Sequence, residues 1–253
     1  DVLEPQGCIT SLDRDSSVDE LAVKISMKDK RMRFINDSFG NLENYFEKKS
    51  LDGILLDLGI SSSQLDNPER GFSFRSSGPL DMRMDQKSSF SAEFWINNSS
   101  REEIERVFWE LGEERQSRKI AQLICNKRKE NPIKNTNELT EIVLSCKKRT
   151  SKNHPATNVF RAIRMRVNSE LEELNNVLEA IGKVLKIGGR FAVISFQSLE
   201  DRVVKRFIQG KNMTGLESIF KLIGDKPLKP ELEEIKSNPR SRSAILRVAE
   251  RVA

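Results

Sequence analysis

The segment 9–59 alternates between short apolar runs and amphipathic stretches, and this alternation constrains the fold more than any other feature of the chain. Residues 52–59, Asp-Gly-Ile-Leu-Leu-Asp-Leu-Gly, form a compact apolar run that is typical of a strand covered on both faces. Strands are predicted at 9–13, 31–35 and 52–59, and helices at 18–27 and 42–49. Strand, helix, strand, helix, strand predicts an open parallel sheet of the α/β class.

Residues 60–91 interrupt this rhythm with a serine run, two prolines and two glycines. They predict a long loop, and loops of this length in a compact domain are more often functional than idle. Helical patterns follow at 101–111, 114–128 and 137–144, with no strand-like segment between them. We therefore expect a helical insertion over 85–158 within a discontinuous sheet domain made of 1–84 and 159–253.

The second part of the sheet domain begins with the most regular apolar period of the chain. Apolar residues recur every three or four positions from Phe160 to Leu185, which predicts one apolar helical face, in a single helix or in two that meet near Asn168. One strand, one helix and a final strand are predicted after it, at 190–196, 198–208 and 244–249.

The net charge of +5 is distributed unevenly along the chain. The segment 115–168 contains fourteen lysine and arginine residues against three acidic ones, so the rest of the chain is net negative. Such a segment suits a phosphate backbone, because each neutralised phosphate releases condensed counterions. A solvated helical face explains the same count equally well. Phe160 is the only aromatic residue in the segment, which argues against a stacking platform for long single strands.

Composition excludes several classes of site. The three cysteines form neither a disulfide framework nor a metal knuckle, which indicates a reducing compartment. The longest apolar run has four residues, 191–194, against the ~20 that cross a bilayer, so we expect a soluble, cytoplasmic protein without a membrane partner. The single histidine, His154, argues against zinc sites and Ser-His-Asp triads, and we expect no metal. Neither the dinucleotide fingerprint nor the phosphate-loop motif is present.

Acidic residues at the ends of predicted strands are candidates for a ligand site, because open α/β sheets bind ligands beyond the carboxyl ends of their strands. Asp13 ends one predicted strand and Asp57 lies near the end of another. The Asp13 carboxylate suits the two hydroxyls of a ribose, while Phe39 suits an adenine face with Asp37 near its amino group. Spacing alone favours a simpler interpretation, in which Asp13 and Asp15 cap the next helix and Phe39 is core.

Long ordered motifs resemble one protein family. They are Asp-Gly-Ile-Leu-Leu-Asp-Leu-Gly-Ile-Ser-Ser-Ser-Gln at 52–64, Leu-Asp-Asn-Pro-Glu-Arg-Gly-Phe-Ser-Phe at 65–74 and Gly-Pro-Leu-Asp-Met-Arg-Met-Asp at 78–85. Further matches lie at 111–115, 154–157, 164–174, 194–202, 205–207, 238–243 and 246–251. On these motifs, which span nearly the whole chain, the sequence resembles the MraW (RsmH) family of bacterial methyltransferases that act on small-subunit ribosomal RNA.

The resemblance implies a class I, Rossmann-like methyltransferase sheet with an inserted all-helical domain. It implies S-adenosylmethionine as the cofactor and the N4 amine of cytidine 1402, in the decoding centre of 16S rRNA, as the methylated group. The expected partners are therefore 16S rRNA and the small ribosomal subunit. The oligomeric state stays open, and a homodimer is one of the alternatives.

Carried over by position, the resemblance assigns the cofactor contacts to Asp13, Phe39, Asp57 and Gln64, which reverses the preference for a structural role. Asp57 is also nominated as the catalytic acceptor for the amine, since amino-methyltransferases place such groups at this strand end. Two sets of basic residues are expected to contact RNA: Arg70, Arg75 and Arg83 in the loop, and Lys147, Lys148 and Arg149 in the basic, RNA-binding insertion.

The sequence departs from the family pattern at two places. The family begins with a strand and a glycine-rich loop that wraps the methionine end of the cofactor, and this chain starts after both. We therefore expect an N-terminally truncated copy whose sheet lacks its first strand. Gln197 stands where the family usually has histidine, and a glutamine can hydrogen-bond but cannot titrate near neutrality. The competing hypothesis is an RNA-binding remnant that lacks the methyl-donor loop and is catalytically incompetent.

Overall fold

The computed structural model describes residues 3–146, 154–211 and 218–253. The chain forms two compact units, the first made of residues 1–59 and 171–253 and the second of residues 60–170. The first unit contains strands and helices, and the second is built from helices and the loop that precedes them. The predicted α/β class is therefore confirmed for the first unit.

Six strands lie in the described residues, all in the first unit. They are β1 Ile9–Leu12, β2 Met32–Ile35, β3 Leu51–Asp57, β4 Leu185–Ser195, β5 Phe220–Leu222 and β6 Ile245–Arg251. β1 and β2 form a two-stranded parallel sheet, in which Leu12 lies opposite Ile35. The other strands form a mixed sheet in the order β3-β4-β6-β5, with β3 parallel to β4 and β6 antiparallel to both of its neighbours.

This arrangement differs from the single open parallel sheet that the sequence predicts. No ladder joins β1 to β3 in the part of the chain that the structure describes, so β3 pairs with β4 alone. Leu55, in the middle of β3, is 66% exposed, although its apolar run is typical of a strand covered on both faces. The prediction is wrong for β3 because apolar composition reports what a strand can bury and does not report which strands lie beside it.

Ten α-helices lie in the described residues. They are α1 Asp19–Lys28, α2 Ser62–Asp66, α3 Ala92–Asn98, α4 Arg101–Glu110, α5 Ser117–Glu130, α6 Thr136–Cys146, α7 Thr157–Val167, α8 Glu170–Val184, α9 Ser198–Ile208 and α10 Leu232–Ser237. The helix predicted at 42–49 is instead a 3₁₀ helix at Phe39–Asn44, which Ser38 caps by accepting the Gly40 N–H. A side-chain cap of this kind fixes where a helix begins.

The core of the first unit is an apolar cluster shared by α8, α9 and the mixed sheet. Three rings from β4, α9 and β5, those of Phe191, Phe207 and Phe220, lie with their centroids 5.0–6.1 Å apart. Arg247 of β6 forms a partly buried ion pair with Asp201 of α9 at 2.7 Å, which fixes this helix against the sheet.

The core of the second unit is formed by α3 to α7 and is closed to solvent. Trp95, Ile104, Phe108 and Ile163 are all buried within it. The Trp95 indole donates to Glu103 Oε1 at 2.9 Å, so the one polar atom of this ring has a partner at the edge of the core.

The long apolar period divides into two helices, as one of the two alternatives predicts. α7 ends at Val167, and Asn168 lies before α8. The Asn168 side chain is buried, accepts the Met84 N–H at 2.7 Å and donates to the Met82 carbonyl at 2.8 Å. Asn168 thus joins the end of α7 to the long loop.

Residues 60–84 belong to the second unit, whereas the sequence places them in the sheet domain. The division falls at 59/60 and 170/171 instead of 84/85 and 158/159. The reason is packing, since Leu80 and Met82 of the loop are fully buried in the helical core. Gly71, with φ +69°, lies so near the Pro79 carbonyl that a Cβ atom would overlap it, so this close turn requires glycine.

In the described ranges, no helix combines the length and the apolar composition needed to cross a membrane. The same residues contain no group of three or more His, Cys, Asp or Glu side chains arranged to hold a metal ion. The helical unit has a cavity of about 470 Å³ beside α3 and α5, but none of the predicted site residues lines it.

Candidate functional site

Asp13 lies directly after β1, at the carboxyl end of the strand. Its N–H donates to the Ile35 carbonyl of β2, and its exposed carboxylate accepts the Asp15 N–H at 2.8 Å. Desolvation raises the pKa of Asp13 against the opposing effect of that hydrogen bond. Asp15 is only 1% exposed and accepts the Ser17 N–H, so Asp15 is the cap of the following helical turn. Asp13 therefore remains a carboxylate presented at a strand end.

Phe39 begins the 3₁₀ helix that follows β2. Its ring is half-buried and packs against the core of the first unit, so part of it contacts the interior and part remains accessible. The preceding Ser38 donates to the Glu173 carboxylate of α8, which ties this turn to the main helix of the unit. Core packing and the covering of a flat ligand are thus compatible roles for this one ring.

Asp37 is held by its own turn. Its carboxylate accepts the Tyr45 hydroxyl at 2.5 Å and the Asn41 amide at 2.9 Å. The hydrogen bond from Tyr45 is the main reason that the pKa of Asp37 is lowered. Because these partners already occupy its oxygens, Asp37 is a weaker candidate for the adenine amino group than its sequence position suggests.

Asp57 is the last residue of β3 and lies opposite Ile194 of β4. Desolvation alone raises the pKa of the Asp57 carboxyl, and no ion pair or hydrogen bond in the described residues offsets this effect. The Leu58 N–H donates to the Ile194 carbonyl at 3.0 Å, and Gly59 then turns the chain with φ +103°. This left-handed conformation is accessible to glycine at little cost, so the Asp-Leu-Gly sequence sets the direction of the strand end.

Gln197 follows β4, the strand that pairs with β3. Its backbone is extended, with φ −134° and ψ 146°, and precedes the first residue of α9. Its Oε1 atom is buried and has no hydrogen-bond partner among the described residues. A buried acceptor without a donor is costly, which makes this amide a candidate for a ligand contact beside the end of β3.

Gln64 lies in the second unit, where it completes the capping box of α2. Its Oε1 accepts the Ser61 N–H at 3.0 Å while its own N–H donates to the Ser61 hydroxyl. The side chain is buried. The structure thus assigns Gln64 a local structural role, and its contact with a cofactor stays a prediction.

The three loop arginines differ in their surroundings. Arg70 is buried, donates to the Arg83 and Met84 carbonyls at 2.9 and 3.1 Å, and lies over the Phe72 ring. Arg83 forms an ion pair with Asp81 at 2.6 Å, which raises the pKa of the guanidinium. Arg75 alone of the three is exposed. Arg70 and Arg83 therefore brace the loop, and Arg75 retains the placement expected of an RNA contact.

The predicted contacts Lys147, Lys148 and Arg149 lie outside the described residues. The charge count identifies the basic segment around them, but it does not resolve which of its side chains share a face. A helical projection of 117–130 identifies the basic side chains that share a face, because the exposed basic residues of α5 repeat with the period of the helix. This face was missed by the sequence reasoning.

The structure groups the predicted residues in three places. Asp13 and Phe39 follow paired strands of the small sheet, and Asp57 ends β3 of the mixed sheet beside the strand that leads to Gln197. Gln64 belongs to the second unit. The acidic residues of the first unit therefore lie at the carboxyl ends of parallel strands, where the sequence predicts them, but on two sheets instead of one.

Comparison with known proteins gives a consistent result. The model of the MraW methylase family matches residues 3–252. A protein of Coxiella burnetii named ribosomal RNA small subunit methyltransferase H is 43% identical over 266 residues, covering 99% of this chain and 87% of its own length. Proteins of the same name from Legionella pneumophila and Halothermothrix orenii are 44% and 41% identical over 268 residues, with 87% and 86% of their lengths covered.

Among solved structures, an rRNA methylase from Streptococcus thermophilus is 10% identical and covers 97% of this chain and 74% of its own, with a TM-score of 0.35. A likeness this weak carries no argument about the fold. The sequence matches are evidence of common descent, because they extend across both units and include every motif at a strand end. This chain belongs to the MraW methylase family.

Proposed function

We propose that this chain transfers a methyl group from S-adenosylmethionine to the N4 amine of cytidine 1402 in 16S rRNA. The observation that carries the proposal is the match of the family model to residues 3–252, together with relatives that are named for methylation of small-subunit rRNA. This substrate implies a cytoplasmic enzyme. A homodimer stays a prediction.

The methyl donor of this family is S-adenosylmethionine, which supplies an electrophilic methyl group on a sulfonium. The residues of the first unit fit its nucleoside part. Asp13 presents an exposed carboxylate at a strand end, suited to two ribose hydroxyls, and the half-buried Phe39 ring offers an apolar face. Gln64 caps α2 in the second unit, and its contact with the donor stays a prediction.

Asp57 is proposed as the acceptor that draws on the cytosine amine. The lone pair of this amine is delocalised into the ring, so the nitrogen attacks well only when it is held in line and an acceptor binds its N–H. Desolvation raises the pKa of Asp57 and so makes its carboxylate a stronger proton acceptor. The buried Gln197 Oε1 at the adjacent strand end offers a second acceptor for a donor group of the ligand.

The second unit is proposed to hold the RNA. Of the loop arginines, Arg75 is the one whose exposure suits a phosphate, while Arg70 and Arg83 keep the loop in shape. Lys147, Lys148 and Arg149 remain predicted contacts on the strength of their charge alone.

An RNA-binding remnant without catalysis is the second candidate function. One observation favours it: no strand in the described residues pairs with the outer edge of β3, and Leu55 there is exposed. A donor site next to such an edge is less enclosed than one inside a complete sheet. Transfer of radiolabelled methyl groups distinguishes the two candidates, since both bind RNA but only the enzyme labels it.

The proposal is tested by incubating the chain with labelled S-adenosylmethionine and either naked 16S rRNA or assembled small subunits, then locating the label. We expect label on the N4 position of one cytidine. Asp57→Asn is expected to lower the rate by roughly 100-fold or more, because a positioned proton acceptor contributes about that much. RNA binding without label on either substrate supports the remnant, and unchanged donor affinity and turnover in Asp57→Asn would remove Asp57 from the mechanism.

A further inference from the structure

The outer face of α5 is a strongly basic exposed surface of the second unit. α5 contains five lysine and arginine residues and one acid, Glu130. Its buried side is formed by Ile120, Ala121 and Ile124, which pack into the helical core. The exposed basic residues on the opposite side, with one from the preceding turn, are here called the α5 basic face: Arg115, Arg118, Lys119 and Lys129.

These four side chains have no ion pair within the described residues. The other two cations of the helix are engaged, because Lys127 lies 3.4 Å from Glu130 and Arg128 donates to the Ile96 and Ser99 carbonyls at the end of α3. The basic face is therefore distinct from the cations that serve the fold. Between its two ends, Gln122 and Asn126 are hydrogen-bonded to each other at 2.9 Å and add polar groups to the same side.

The positions of Arg118 and Lys119 oppose local helix stability. Both lie in the first turn of α5, which contains no acidic residue, and cations near a helix N-terminus are unfavourable to the helix dipole. The helix therefore carries positive charge where its own electrostatics disfavour it. Such an arrangement is expected of a surface that serves a partner rather than the fold.

The neighbouring helix α4 provides an internal contrast. It packs beside α5 in the same core, but its outer face carries Glu102, Glu105 and Glu110 around the exposed Arg106. Net positive charge is thus concentrated on α5, because α4 has four acidic residues against Arg101 and Arg106. An ordinary solvated surface of mixed charge would not separate the signs in this way.

The chemistry of the face selects one class of partner. Along α5 no large apolar side chain is exposed, so the helix lacks the apolar stripe with which a helix inserts into a lipid surface. Arginine, lysine and amide side chains are the groups that contact phosphate and sugar oxygens. Arg118 and Lys129 are separated by eleven residues, or about 16 Å along the helix axis. This span lets one side of the helix contact several phosphates.

We propose that the α5 basic face is the surface by which this chain holds the phosphate backbone of its RNA substrate. The proposal rests on the proposed function for the identity of that RNA. It assigns the main electrostatic contact to helix α5, in addition to the predicted contacts at 147–149. Because phosphate contacts do not read bases, the face contributes affinity and orientation without selecting the methylated base.

The test is filter binding of a labelled 16S rRNA transcript over a series of salt concentrations. In Arg118→Gln/Lys119→Gln, the log–log slope of affinity against salt is expected to fall by about 1.4, since each lost single-strand phosphate contact removes about 0.7. Affinity at about 0.1 M salt then drops roughly 25-fold. Adding Lys129→Gln is expected to lower the slope by about 0.7 more.

Arg106→Gln is the matched control, because it removes one exposed cation from the acidic face of α4 in the same unit. Its affinity is expected to change less than two-fold. The unfolding temperature of Arg118→Gln/Lys119→Gln should not fall, since the substitutions remove an unfavourable interaction with the helix dipole. A binding loss in a fully stable variant is a loss of contact and not of folding.

The outcomes separate the two proposals. If the wild-type chain binds and labels 16S rRNA, but Arg118→Gln/Lys119→Gln binds like Arg106→Gln, the α5 proposal is overturned and the proposed function stands. If the double variant binds naked rRNA normally and loses only binding to assembled small subunits, the face contacts a ribosomal protein and the RNA proposal is again overturned. A wild-type chain that binds no 16S rRNA at all contradicts both.

Discussion

The two units differ in how completely they bury their apolar residues. In the helical unit, Trp95, Phe108 and Ile163 are almost fully buried in one cluster, and the main exposed apolar side chains are Phe94 and Trp109. In the α/β unit, Met27 of α1 is 78% exposed and Leu55 of β3 is 66% exposed. The helical unit thus has a complete core of its own, whereas the α/β unit has a core around α8 and β4 and an apolar surface around α1 and β3.

This difference coincides with the different roles proposed for the two units. Met27 and Leu55 lie on elements next to Asp13 and Asp57, the candidate ligand residues, while the helical core supports the basic face of α5. Large exposed apolar surface marks a region that binds something, whether a ligand or another segment of protein. We infer that the helical unit is stable without ligand and that the α/β unit gains most from one.

The largest effect is expected from Phe108→Ala. Phe108 is fully buried and its ring lies 6.1 Å from that of Trp95, so truncation leaves a cavity in a core that cannot collapse easily. The free energy of unfolding should fall by about 3–5 kcal/mol. The matched control is Met27→Ala in the α/β unit, where truncation of an exposed side chain should cost no more than about 0.5 kcal/mol. Urea denaturation followed by circular dichroism measures both.

A larger loss of unfolding free energy in Met27→Ala than in Phe108→Ala would contradict the comparison between the units. It would mean that Met27 is covered in solution, and that the α/β unit buries what it exposes in the structure described above.

A smaller effect of opposite sign is expected from Asp57→Asn. Desolvation raises the pKa of Asp57 in the folded state above the ordinary value of 3.8, so its charge opposes folding at neutral pH. The unfolding temperature at pH 7 should therefore rise slightly in the variant. This gain should vanish as the pH falls below about 3.8, where the carboxyl is protonated in both states. Thermal melts of both proteins between pH 3 and pH 7 provide the measurement.

An unchanged or lower unfolding temperature of Asp57→Asn at pH 7 would show that the carboxylate has a stabilising partner. Asp57 would then be a structural residue, and the α/β unit would lose its strongest candidate for catalysis.

Much of the local structure could be predicted from the sequence. Strands β1 to β3 and helix α1 lie within a few residues of their predicted positions, because composition and caps act locally. The sequence predicts the division of the long apolar period near Asn168 as one of two alternatives. The sequence does not reveal the cause of this division, because Asn168 forms hydrogen bonds with Met82 and Met84, which are distant in the sequence.

The sheet and the boundary between the units could not be predicted in the same way. Whether β1 pairs with β3 depends on what lies between them, and the apolar run at 52–59 carries no information on that. The sequence pattern places residues 60–84 in the sheet domain, yet Leu80 and Met82 are buried in the helical core. Burial of a loop depends on tertiary packing, which periodicity does not report.

The candidate site was predicted unevenly. Asp13 and Asp57 lie at strand ends, as topology requires of ligand residues in α/β sheets. Arg70 was expected to reach RNA, but its guanidinium is buried against the loop carbonyls. An arginine in a sequence reports charge and hydrogen-bonding capacity, and only the fold decides whether a phosphate or a carbonyl satisfies it.

The central claim is that a strand-end carboxylate of the α/β unit binds the nucleoside of S-adenosylmethionine, and calorimetry with that compound tests it most directly. Asp13→Asn keeps the hydrogen bond to Asp15 but loses the charge, so its affinity should be about 10–100-fold weaker than that of the wild type. In the wild type, the Asp37 carboxylate already accepts the Tyr45 hydroxyl. Asp37→Asn should therefore change the affinity for S-adenosylmethionine less than three-fold. Equal affinities for the wild type and Asp13→Asn would contradict the account.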